Sequence, residues 1–229
     1  MPDTSSNNKR IAKNTMFLYF RMILIMLVQF YAVRITLKYL GVVDYGIYNL
    51  VGGITSMFTF LTHTMTSASQ RFFAYDIGKS NEANLKVTFD SIWIIFIILG
   101  VISVFLLEFF GVLLIEYKLV IPDDRIFAAK IIFHVSVLTL FITIFTLPFN
   151  SLIIAHEEMK TFAFVSIIEA ILKLAIVYCL VIVDTDKLIL YSILILCVQV
   201  LVSFVYIFIC FKRYQECDKQ ITFDNKITK

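Results

Sequence analysis

Charge is what this sequence has little of. Only 16% of its 229 residues are Asp, Glu, Lys or Arg, while 60% fall in the hydrophobic set; a soluble domain is about a quarter charged and about half apolar. Mean hydropathy is +0.89, and so much apolar surface does not fit inside one water-soluble core. The net charge of +3 is too small for the basic surface by which proteins hold nucleic acid. Cysteines are few, and Cys179, Cys197, Cys210 and Cys217 match no zinc, haem or redox spacing, so they read as soft packing residues. Low-complexity sequence and internal repeats are absent. The HEEMK run, His156 to Lys160, lacks the HExxH spacing of a zinc enzyme and reads as a solvated loop. No catalytic residue, metal site or cofactor is expected, and the chain is not read as an enzyme.

What is present is a series of nearly charge-free runs of about 20 residues, the length an α-helix needs to cross hydrocarbon. They are solid runs rather than the alternating ten-residue segments of a transmembrane β-barrel. The expected fold is all-α, a polytopic bundle of six transmembrane helices. The spans fall at about 14–33, 46–68, 91–115, 126–154, 162–183 and 188–211. A polar tail, 1–13, precedes this 14–211 bundle, and a second, 212–229, follows it. Asp123 and Asp124 read as a helix start, and Pro148 is expected to kink the fourth span. With the N-terminus inside, twelve lysines and arginines collect on the inner side and six on the outer, which favours both termini in the cytoplasm.

Ionisable groups within spans cost at least about 2.5 to 3.5 kcal/mol on insertion scales, so they carry most of the information. Glu169 and Lys173 stand four apart, which stacks them on one helix face with the acid first. They read either as a self-neutralised structural pair or as a charged site in a transport cavity, able to hold an anionic head group. Arg21 can snorkel to the interface or face a substrate. Arg34 and Lys38 stand at the outer end of the same span, and Arg34 lies about 140° around the helix from Arg21. Gln29 and Gln199 read as interhelical hydrogen-bond partners, and His63 and His134 as isolated residues.

Four of the seven glycines lie in LGVVDYGIYNLVGG, Leu40 to Gly53. Gly41 is expected to end the first helix in a left-handed cap, and Asp44 to cap the second. Gly46 and Gly53 share one face, and Gly52 with Ser56 makes a small-xxx-small pair, so the second helix is expected to approach a neighbour closely.

The segment NKRIAKNTMFLYFRMILIMLVQFYAVRITLKYLGVVDYGIYNLVGGI, then MFTFLTHTMTSASQRFFAYDIGK and NSLIIAHEEMKTFAFVSIIEAILKLAIVY, resembles bacterial polysaccharide or O-antigen flippases. These are Wzx-type lipopolysaccharide biosynthesis proteins of the multidrug, oligosaccharidyl-lipid and polysaccharide exporter superfamily. The resemblance covers nearly the whole chain, and YLGVVDYGIYNLVGG with SASQRF is its specific part. It implies a multi-pass protein of the bacterial cytoplasmic (inner) membrane that flips undecaprenyl-pyrophosphate-linked oligosaccharide by alternating access. Family members have two lobes around a cationic cavity, for which Arg21, Arg34, Arg71, Glu169 and Lys173 are the candidates. The six spans look like one lobe only, to be paired with itself or with a separate chain. A truncated or non-transporting membrane protein and a drug-efflux relative are the alternatives.

Overall fold

The computed structural model describes residues 4–79, 82–117, 119–182 and 186–217. In chain order the helices are α1 (Thr4–Ser56), α2 (Thr59–Gly78), α3 (Glu82–Tyr117), α4 (Ile126–Ala155), α5 (Met159–Ile182) and α6 (Lys187–Arg213). One-turn 3₁₀ segments lie at Asp123–Arg125 and Gln215–Cys217. The fold is thus the expected all-α bundle. In hydrocarbon no water serves the backbone amides, so each segment must satisfy its own. Five of the helices, all but α2, are long and apolar enough to cross a membrane. The helices overrun the apolar runs, since α2 reaches Gly78 and α3 starts at Glu82. Hydrocarbon sets the length of the apolar stretch, while the helix continues as long as its amides find partners.

The first two expected spans meet inside α1. Gly41, at φ 81° and ψ 168°, breaks the helix there. Its ψ lies far from the left-handed cap value of about +47°, in a region open essentially to glycine alone. No atom lies within 4 Å of where its Cβ would stand, so the backbone, not crowding, requires the glycine. Asp44 does not serve as the expected cap. It is buried in the first turn after the break, its Oδ2 3.3 Å from Arg125 Nη2, because a full guanidinium charge is a stronger partner than amide dipoles.

A second break at Met57 and Phe58 divides the expected second span. Around it Thr55 Oγ1 donates to the Gly52 carbonyl at 2.9 Å and Ser56 Oγ to that of Gly53 at 2.7 Å. Thr59 donates to the Ser56 carbonyl. Such local donors compete with the helical ladder.

The close approach expected at Gly46, Gly52 and Gly53 is not made among the described residues, for no atom beyond their own helix lies within 4 Å of a Cβ built on any of them. It occurs between α3 and α4 instead. A Cβ on Gly111 would collide with Phe133 Cζ, and one on Gly100 would stand 3.1 Å from the Phe141 ring.

Helix α4 is the centre of the bundle and packs against the other five. Around it lie two apolar clusters. One gathers Phe73, Phe89, Phe96, Phe149, Leu152 and Tyr206, the other Leu40, Val51, Ile132, Phe133 and Leu188. Pro148 is buried beside Phe149, and α4 continues past it to Ala155. By contrast Tyr19, Phe20, Leu27 and Phe30 of α1 are exposed, as suits a surface bathed in lipid.

Gly111→Ala should destabilise the bundle by about 1–3 kcal/mol, because the Phe133 ring is wholly buried and has no room to yield. Gly53→Ala, at an open helical site, should be neutral or gain up to about 1 kcal/mol. Thermal unfolding of the two purified variants in detergent checks the contrast, and equal midpoints would refute it.

Candidate functional site

Helices α1 and α5 lie side by side and enclose a pocket of about 150 Å³. Its charged lining is Arg21 from α1 with Glu169 and Lys173 from α5, and Gln29 and Ser166 add polar groups. Lys173 Nζ lies 2.6 Å from Glu169 Oε1, and the two side chains are 43% and 26% exposed. The four-residue spacing therefore produces a pair, and the pair opens on a cavity. Two cations and one anion leave the pocket with a net positive charge.

Arg21 stands with its guanidinium carbon 4.6 Å from the centre of the Phe162 ring, a cation–π contact that holds it across the helix pair. Its Nε is buried and has no hydrogen-bond partner among the described residues. A buried N–H without an acceptor is costly, and here it lies on a residue that lines a cavity. Ser166 Oγ donates to the Phe162 carbonyl at 2.9 Å. Ser166, Glu169 and Lys173 recur at three and four residues along α5, so helical period alone could have added Ser166 to the site.

Arg34 and Arg71 do not join this pocket. Arg34 is exposed on α1, 13 residues beyond Arg21, and Arg71 lines a separate cleft between α2 and α3. Gly52 lines a further cavity of about 230 Å³ whose walls are rich in hydroxyls, among them Thr55, Ser136, Thr139, Thr143 and Ser192.

Other charges are paired between segments. Arg125 binds Asp44, and its Nη1 lies 2.9 Å from Asp186 Oδ2. Asp186 also caps α6, accepting from the amides of Leu188 and Ile189. Between α3 and α4, Lys130 Nζ lies 2.5 Å from Glu116 and His134 Nδ1 2.9 Å from Glu108. His134 is therefore not isolated, because its partner comes from the neighbouring helix.

The HEEMK run is likewise more than a solvated loop. His156 stacks on Tyr214 at 4.3 Å between ring centres, with its Nε2 3.6 Å from Glu216 Oε1. Glu158 pairs with Arg213 and accepts from Thr161 at 2.7 Å. These contacts clasp the end of α6 to the α4–α5 turn. Facing His156 holds the Glu216 carboxyl below its usual value, against the opposing effect of burial.

With this architecture in view, comparison with known proteins identifies the family. Residues 18–179 match the MatE family, and the chain belongs to it. Two solved structures share the fold. One is an outward-facing multidrug resistance MATE family transporter of the MOP superfamily, at 16% identity and a TM-score of 0.77, over 94% of this chain and 49% of that one. The other is a MOP superfamily transporter from Pyrococcus furiosus, whose description reports reversed polarity of the binding pocket. It matches at 15% identity and a TM-score of 0.67, over 95% of this chain and 48% of that one. The chain thus spans about half the length of each and resembles one lobe. No curated protein matches it significantly.

At the clasp, a lowered folded pKa for Glu216 stabilises the folded state fully above the ordinary glutamate value of about 4.3. The contribution is lost as pH falls through the lower folded value. Protection factors for amide exchange over 210–217, taken relative to the intrinsic rate at each pH, should therefore hold down to that range and fall below it, with Glu216→Gln flattening the dependence. An identical pH profile in wild type and variant would refute this.

Proposed function

We propose that this chain forms one lobe of a membrane transporter that flips a lipid-linked oligosaccharide across the bacterial cytoplasmic membrane, both termini lying in the cytoplasm. The α1–α5 pocket is its anion site. The observation that carries the reading is the buried, partnerless Nε of Arg21 beside Glu169 and Lys173. A pyrophosphate offers oxygens to that donor and to the guanidinium fork. Glu169 holds Lys173 in place between cargoes, and an arriving anion takes over the ammonium. Family membership supports a transporter, and the resemblance to O-antigen flippases supports the glycan cargo. A second lobe, from another copy or another chain, completes the path, and membrane lipids surround the pair.

Likeness to a multidrug resistance transporter favours drug extrusion as the second reading. A net positive pocket suits an anionic cargo better than the cations many drugs carry.

Arg21→Gln, Glu169→Gln and Lys173→Gln should each lower surface glycan by about tenfold or more, equivalent to at least about 1.4 kcal/mol, with unchanged protein in the membrane. Glycan staining of cells that depend on this chain measures it. Normal staining in all three variants sinks the proposal. Normal staining with lost drug tolerance transfers the pocket to the second reading.

A further inference from the structure

The cleft between α2 and α3 encloses about 810 Å³ and shares no lining residue with the α1–α5 pocket. Its two ends differ in chemistry. At one end stand Arg71, Tyr75 and Asn84, and the Lys79 ammonium lies 4.2 Å from the centre of the Tyr75 ring. Arg71 and Tyr75 share one face of α2, and Lys79, the residue that caps its C-terminus, follows at the same spacing. Arg71 is exposed and has no ion-pair partner among the described residues. The acid within the cleft, Asp76, is engaged by the Thr88 hydroxyl at 2.6 Å. Further from the α2–α3 turn the lining is mostly apolar, with Met65, Ile95 and Phe96, and the Ser69 hydroxyl there is spent on the Met65 carbonyl. The ten residues from Met65 to Tyr75 span about 15 Å.

We propose that this cleft binds an anionic diacyl glycerophospholipid, its phosphate on Arg71 and Lys79 and one acyl chain along Ile95 and Phe96. Charge at one end and an apolar run of chain length at the other match the polarity of such a lipid. Guanidinium is the side chain best shaped for phosphate oxygens. Tyr75 brings an aromatic ring to the level where headgroup meets hydrocarbon. The bundle is embedded in lipid, so this ligand is the solvent itself. The site stands apart from the glycan reading, because it requires only that the bundle lie in a membrane.

Native mass spectrometry of the full chain, purified in detergent and supplied with defined lipids, tests it. Dioleoyl phosphatidylglycerol should be retained about tenfold more than dioleoyl phosphatidylcholine, a difference of about 1.4 kcal/mol. Arg71→Gln should erase that preference and Arg71→Lys keep part of it; the site is exposed, so folding is expected to survive and a melting curve verifies it. Dihexanoyl phosphatidylglycerol, which carries the same headgroup on short chains, should be lost. Equal retention of the two dioleoyl lipids, no effect of Arg71→Gln, or equal retention of short and long chains would each overturn the proposal.

Discussion

An ionised side chain inside hydrocarbon needs a partner, and the architecture follows from where those partners lie. Each pair ties specific segments together. Arg125 joins the turn before α4 to the bend in α1 through Asp44 and to the cap of α6 through Asp186. At the opposite end Arg213 and Glu158 tie α6 to the α4–α5 turn. Desolvation offsets much of the Coulombic attraction in such pairs, so their main effect is on which helices meet. The α1–α5 pocket stands out against that background: a buried guanidinium nitrogen there lacks an acceptor. That imbalance turns a structural charge into a candidate for binding.

Apolar packing then fills the space the pairs define. Helix α4 touches every other helix, which is why most of its inward residues, among them Ile132, Phe133, Ile144 and Leu152, are wholly or almost wholly buried. Before the break at Gly41, α1 lines a pocket with α5, and after it Tyr48 meets Tyr191 of α6 and Val51 packs among α4 residues. One chain segment thereby lines the charged pocket at Arg21 and the hydroxyl-rich cavity at Gly52.

What could be read from the sequence was whatever lies along a single helix. Solid apolar runs announce the bundle, and the spacing of Glu169 and Lys173 announces their pairing, because both depend only on helical period. The need for glycine at position 41 is similarly local. Contacts between helices are not local, and there the reading was incomplete. Arg21 meets α5, His134 meets Glu108, and Arg71 faces its own cleft, none of which a period encodes. Gly52 and Gly111 show the same limit from the other side. Both are small residues in apolar surroundings, yet one borders a cavity and the other receives an aromatic ring.

The α3–α4 seam has a mechanical consequence. Glu116 meets Lys130, Gly111 receives Phe133, and Glu108 meets His134, three engagements in sequence along antiparallel helices. Sliding one helix by a single turn would strand one of the two carboxylates and drive the Phe133 ring against a position with a side chain. The seam therefore has one register, and it behaves as a key in its slot: α3 and α4 travel together. Shear between them is opposed, whereas α1 is broken at Gly41 and parted from α2 at Met57 and Phe58.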